Sequence, residues 1–178
     1  MGYRSLYILV EGPDDTRFFQ RILIPQFLKQ GYSYVKTVEY SSWNTQKLHN
    51  FIFSCHRMSA DYIYVADNDG APCVTFRKNK ILARANKVDL SRIAIVVEEI
   101  ESWYLAGLAD ERMTEFGFPR LATTDRISKE QFHRYLRDSK RFTTRVECML
   151  NILNVFSTEI ARKRNTSFDY FMNKFTGA

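Results

Sequence analysis

The sequence predicts an α/β fold: a mainly parallel sheet of four strands covered by helices, followed by a helical C-terminal extension. Three observations carry this. Short apolar runs alternate with amphipathic stretches over residues 1–118, which is the pattern of repeated βα units. Two of those runs, Leu6-Tyr-Ile-Leu-Val10 and Tyr62-Ile-Tyr-Val-Ala66, stop abruptly at carboxylates and a glycine. Continuous apolar runs of that length suit strands buried on both faces. After Pro119 no convincing strand remains.

The elements follow in order. Ser5–Val10 reads as the first strand. Residues 14–29 read as a helix, because Phe18, Phe19, Ile22, Leu23 and Phe27 recur at helical spacing. Pro13 stands just before it, Asp14 and Asp15 lie in its first turn, and Pro25 marks a candidate bend. Residues 34–40 form the second strand. Residues 44–58 form a helix with Leu48, Phe51, Ile52 and Cys55 on one side. Residues 61–66 are the third strand, 74–88 a basic helix, 92–97 the fourth strand and 99–109 a further helix. Residues 128–139, 146–156 and 168–175 look helical. The boundary is expected near residues 116–127, giving an α/β domain at 1–118 and a basic helical extension at 119–178. No internal repeat or low-complexity tract is visible.

Composition narrows the function classes. The 178 residues suit one domain with a small appendage, and 45% hydrophobic with 15% aromatic residues supply a sizeable core. No stretch approaches the roughly 20 apolar residues of a membrane helix. The first strand begins so early that no signal peptide is expected. Three widely spaced cysteines (Cys55, Cys73, Cys148) predict neither a disulfide framework nor a zinc ribbon, and a cytoplasmic location. His49, His56 and His133 form no zinc motif. Residues 1–118 carry 14 basic and 14 acidic side chains, while 119–178 carry 12 and 6, so the whole net charge of +6 falls after Phe118. A basic segment beside an acidic cleft suits an enzyme that acts on a polyanion, although a solvated basic face has the same composition.

The chemistry lies in four acids. Glu11 and Asp15 span a strand exit and the first turn of the next helix; Asp67 and Asp69 leave the third strand two residues apart. In an extended segment Asp67 and Asp69 would point the same way. Open α/β sheets bind ligands outside the carboxyl ends of their strands, so both strands deliver acid to one crevice. Carboxylates gathered at close range repel, and a hard divalent cation such as Mg²⁺ or Mn²⁺ neutralises them. Strand-end acids also serve as helix caps and turn formers.

The run Leu9-Val10-Glu11-Gly12-x-x-Asp15-x-x-Phe18-Phe19, with Asp67-x-Asp69 after the third strand, resembles the TOPRIM domain. That domain is shared by topoisomerases, bacterial primases, overcoming-lysogenization-defect (OLD) nucleases and the small ribonuclease that matures 5S rRNA. Val96-Val97-Glu98-Glu99-Ile100-Glu101-Ser102-Trp103-Tyr104-Leu105-Ala106 is similar to a segment of small stand-alone TOPRIM-like proteins related to the OLD nucleases, and the ending Ser167-Phe168-x-x-Phe171 resembles theirs. The resemblance implies a Rossmann-like TOPRIM fold and a nuclease of phage defence or of DNA or RNA processing. It implies one or two Mg²⁺ or Mn²⁺ ions. Glu11 would act as general acid/base or ligand. Asp15, Asp67 and Asp69 would be ligands, and Glu101 would join a second ion. A basic residue is expected near the metals. Arg145 is the candidate for that role, with Arg134, Arg137, Lys140 and Arg141 as nucleic-acid contacts. Glu98, Glu99 and Glu101 serve equally as first-turn acids complementing a helix dipole. DNA or RNA is the expected partner, with no membrane. An ATPase or other partner protein and a homodimer fit the same resemblance.

Two other readings stand beside the nuclease. One is a binding module that keeps the fold and holds nucleic acid or phosphate without cutting. The other is a phosphoryl-transfer enzyme with an aspartate nucleophile, since Asp67-Asn68-Asp69 superficially resembles the haloacid-dehalogenase motif. Its position after the third strand and the following Gly70-Ala71 argue against that.

Overall fold

Four parallel strands form the sheet: β1 (Ser5–Val10), β2 (Tyr34–Glu39), β3 (Asp61–Asp67) and β4 (Ile93–Val96), in the order β2-β1-β3-β4. A computed structural model describes residues 2–177. The chain divides into two compact units between Val96 and Val97.

In the first unit each strand is followed by a helical stretch, as the βα pattern requires. β1 leads into α1 (Pro13–Phe18), a π turn (Phe19–Leu23) and α2 (Ile24–Lys29). The sequence expected one helix bent at Pro25. Proline has no N–H to close the regular ladder and its ring crowds the preceding turn, so the helix widens just before it. β2 leads into α3 (Thr45–Arg57), capped by the Asn44 side chain, which accepts from the Lys47 N–H. β3 leads into α4 (Val74–Arg84), capped by the Cys73 Sγ. α3 and α4 cover one sheet face, where Leu9, Tyr62, Tyr64, Ile93 and Ile95 pack with Leu48, Ile52, Cys55 and Ile81. Strand alternation turns Leu6, Ile8 and Val10 to the other face, and the α1–α2 run packs against β2.

Because β2 and β3 lie on opposite sides of β1, the chain reverses direction across the sheet at β1. The crevice between the carboxyl ends of β1 and β3 is therefore the topological switch point, where open α/β sheets place their ligands.

The second unit is helical: α5 (Ile100–Ala106), α6 (Asp110–Glu115), α7 (Lys129–Ser139), α8 (Arg145–Asn154), α9 (Thr158–Arg164) and α10 (Thr166–Phe171), with a π turn at Met172–Thr176. Every residue of α5 is buried. Trp103 lies against the rings of Phe168 and Phe171, and its Nε1–H donates to Ser167 Oγ at 2.8 Å. α6 and α9 were not anticipated. Neither exceeds 7 residues, too short for a periodic apolar signal to emerge.

The division falls some 20 residues before the expected 116–127, because α5 packs with α7, α8 and α9 of the helical unit. This relocates the charge. Residues 1–96 hold 13 basic and 8 acidic side chains, and residues 97–178 hold 13 and 12. The cationic excess belongs mostly to the sheet unit. Among the described residues no helix is long and apolar enough to cross a membrane.

Candidate functional site

Glu11 is the first residue beyond β1, and Asp67 is the last of β3. Their strands are hydrogen-bonded neighbours with Leu9 opposite Tyr64. Parallel pairing therefore brings two residues 56 apart in sequence together: the Asp67 backbone N–H donates to Glu11 Oε1 at 3.2 Å. The Tyr40 hydroxyl, just past β2, lies 3.2 Å from the same Oε1 and 2.8 Å from the Val65 carbonyl oxygen. Burial, with the Tyr64 ring and Glu11 beside it, pushes the Tyr40 phenol far above its ordinary value, so Tyr40 faces Glu11 as a neutral hydroxyl.

Arg77 joins the acids. Its Nε donates to the Asp67 carbonyl oxygen at 2.7 Å; its Nη2 lies 2.6 Å from Asp69 Oδ2 and 3.8 Å from Glu11 Oε1. The Arg77 side chain is only 12% exposed, so these contacts act in a reduced dielectric. Arg77 projects from the first turn of α4, one βα step after the acids it binds.

The segment after β3 is not extended. Asp69 has φ +49° and Gly70 φ +64°, and the Ala71 N–H donates to the Asn68 carbonyl oxygen at 2.9 Å. Asp tolerates this left-handed conformation better than most residues. The turn sends Asp69 outward to Arg77 instead of aligning it with Asp67, which corrects the expectation of two parallel carboxylates. Asp15 is buried and its Oδ2 accepts from the Gly12 N–H at 3.1 Å, which is capping behaviour at the first turn of α1.

Among the described residues no three acidic, histidine or cysteine groups are gathered as a metal ion would require. The donor chemistry still suits a hard cation. Glu11, Asp67 and Asp69 offer only oxygen, and Asn68 Oδ1, between the aspartates in the chain, is buried without a hydrogen-bond partner among the described residues.

Glu101 and Arg145 belong to the helical unit, where they pair with each other. The Glu101 side chain is 3% exposed and that of Arg145 28%. Burial pushes the Glu101 carboxyl above its ordinary value, while its backbone hydrogen bond and Arg145 pull the other way. Glu99 accepts from the Lys129 N–H at 2.6 Å, at the start of α7. Arg134 and Arg137 are exposed on α7, which ends at Ser139; Lys140 takes a left-handed cap with φ +52°, and Arg141 follows outside the helix. The helix-face spacing of Arg134, Arg137 and Arg141 therefore does not run on to Arg145: a loop separates them, and Arg145 opens α8.

A cleft of about 340 Å³ adjoins the acids within the sheet unit. Glu11, Asp69 and Arg77 line one part of it, Tyr40, Trp43 and Tyr64 an aromatic part, and Lys80 and Arg84 a basic part. The sequence marked 74–88 as basic without assigning it a role. The signal was there: Arg77, Lys80 and Arg84 fall at i, i+3 and i+7, on one helix face.

No protein-family model matches this chain, and no curated protein matches it. Among solved structures it is similar to the C-terminal region of the Xanthomonas campestris pv. campestris OLD protein, with a TM-score of 0.38 and 13% identity over 99% of this chain and 85% of that one. A likeness that distant fixes neither a fold family nor an activity.

Proposed function

We propose that the chain is a divalent-metal-dependent phosphodiesterase acting on nucleic acid, of the TOPRIM type that its motifs resemble. The observation that carries the proposal is that the Glu11 and Asp69 carboxylates and the Asp67 backbone meet around Arg77 at the β1–β3 switch point. Glu11, Asp67 and Asp69 would hold Mg²⁺ or Mn²⁺. The chemistry such an ion supplies is activation of water and neutralisation of charge on the phosphate. The chain supplies the rest. The Asp67 N–H and the Tyr40 hydroxyl both lie 3.2 Å from Glu11 Oε1 and hold its side chain at the strand exit. Arg77 neutralises the acids in the absence of an ion, and once released from Asp69 it presents a guanidinium suited to phosphate oxygens.

The test is Mn²⁺- or Mg²⁺-dependent hydrolysis of DNA or RNA by the purified chain. Glu11→Gln and Asp67→Asn are each expected to lower it by on the order of 10²-fold or more. Cleavage that persists in both folded variants would remove the assignment.

One observation favours a second reading. Arg77 already satisfies Glu11 and Asp69 as a built-in cation. A chain that binds nucleic acid with a steep salt dependence and never cuts it would match that alternative, with catalysis then left to a partner protein.

A further inference from the structure

We infer that the cleft between α4 and the segment joining β2 to α3 binds a single nucleotide, with its phosphate on Lys80 and Arg84 and its base against Trp43. Arg77 is engaged by Asp67, Asp69 and Glu11. Lys80 and Arg84 are exposed and make no ion pair among the described residues. Two such cations on one helix face leave a local positive charge that the acids next to them do not cancel. Asn44 and Thr45 bring the amino end of 13-residue α3 to the same cleft, and that end also favours an anion. The cleft is therefore anion-selective at one part and apolar at another.

The apolar part decides the class of ligand. Trp43 is half-buried, packs against Phe51 with ring centroids 5.2 Å apart, and has the Lys47 ammonium 4.8 Å from its ring centroid. Tyr40 and Tyr64 stack beside it at 4.5 Å. A sugar phosphate or inorganic phosphate would leave this surface unused; a nucleobase would cover it, and base–aromatic contact adds affinity without sequence preference. Volume sets the number of units. About 340 Å³ lies at the lower end of the roughly 300–1,000 Å³ of small-ligand sites, enough for one nucleotide. This deepens the phosphodiesterase reading and rests on it in one respect: the nucleotide is taken as the unit of a strand whose next phosphate reaches Glu11 and Asp69.

The experiment is binding with a chelator present, read by tryptophan fluorescence and by anisotropy of a labelled strand. The probes are thymidine 5′-monophosphate and a short single-stranded oligothymidylate. Trp103 is fully buried, so the fluorescence change reports Trp43. Both probes should quench it. Lys80→Ala with Arg84→Ala should weaken binding by on the order of tenfold or more and reduce the slope of log affinity against log salt for the oligothymidylate by about 1.4. Both residues are exposed, so the fold should survive. Trp43→Phe should retain binding by anisotropy and lose the quench. Tighter binding of the oligothymidylate than of the mononucleotide supports the cleft as one unit of a strand site; equal affinity overturns that part of the inference. No quench with either probe, or unchanged affinity in the double variant, overturns the inference. Binding by a chain that never hydrolyses nucleic acid with Mn²⁺ would sink the phosphodiesterase reading and leave the cleft. Full hydrolysis by the double variant, with its affinity also unchanged, would do the reverse.

Discussion

Arg77 reaches three partners: the carbonyl oxygen of Asp67 and the carboxylates of Asp69 and Glu11. Carboxylates collected at a strand exit need a positive partner, and a motif reading that looks only for acids sees half of the arrangement. Glu101 follows the same rule in the helical unit, where a buried carboxylate is held by Arg145. Removing one partner of a buried pair leaves an uncompensated charge. Arg145→Ala is therefore expected to lower unfolding stability by about 3 kcal/mol, the lower end of the usual range, because Arg145 is partly open to water. The pH dependence has a definite sign. Burial raises the folded pKa of Glu101, so its contribution is most favourable below the ordinary value of 4.5 and is lost as pH rises through the folded value. The variant's deficit should be largest at neutral pH, shrink in acid, and be mostly recovered by adding Glu101→Gln. Chemical denaturation across pH checks this; a deficit independent of pH and of the second substitution would refute it.

At the scale of elements, strands and long helices were legible because their periodicity is long enough to read. β1 was anticipated at its observed bounds, and α3 and α7 within a residue or two. Ser128 and Gln131 form the reciprocal cap that starts α7. The π turn before Pro25, the breaks between α5 and α6, and α9 were not legible, because caps and close approaches decide them. Gly107, which ends α5, shows why. A Cβ there would collide with the Phe156 ring, so the close approach that ends α5 requires glycine. Gly107→Ala should cost about 1–3 kcal/mol of stability through overpacking, and Phe156→Leu should reduce the penalty in that background. Thermal denaturation decides it; an alanine variant as stable as the parent would show that the ring moves aside freely.

At the scale of the molecule, the alternation of β and α was legible and the division of the chain was not. Glu99–Ala106 follows a strand as a covering helix would, yet α5, every residue of which is buried, belongs to the helical unit and packs with α7, α8 and α9. That misplaced the charge, which lies mostly with the sheet, where α4 lines the cleft beside the acids. The placement of Glu11 and Asp67 at neighbouring strand exits was legible because topology fixes it. The roles of Asp15 and Glu101 depend on partners, Gly12 and Arg145, that no spacing reveals. The central claim, that the acids around Arg77 are a divalent-cation site, is tested most directly by anomalous scattering from a crystal soaked in Mn²⁺. The account predicts a peak bounded by Glu11, Asp67 and Asp69, with Arg77 withdrawn from Asp69. Arg77 still bridging Asp69 and Glu11, with no peak among the three acids, would contradict it.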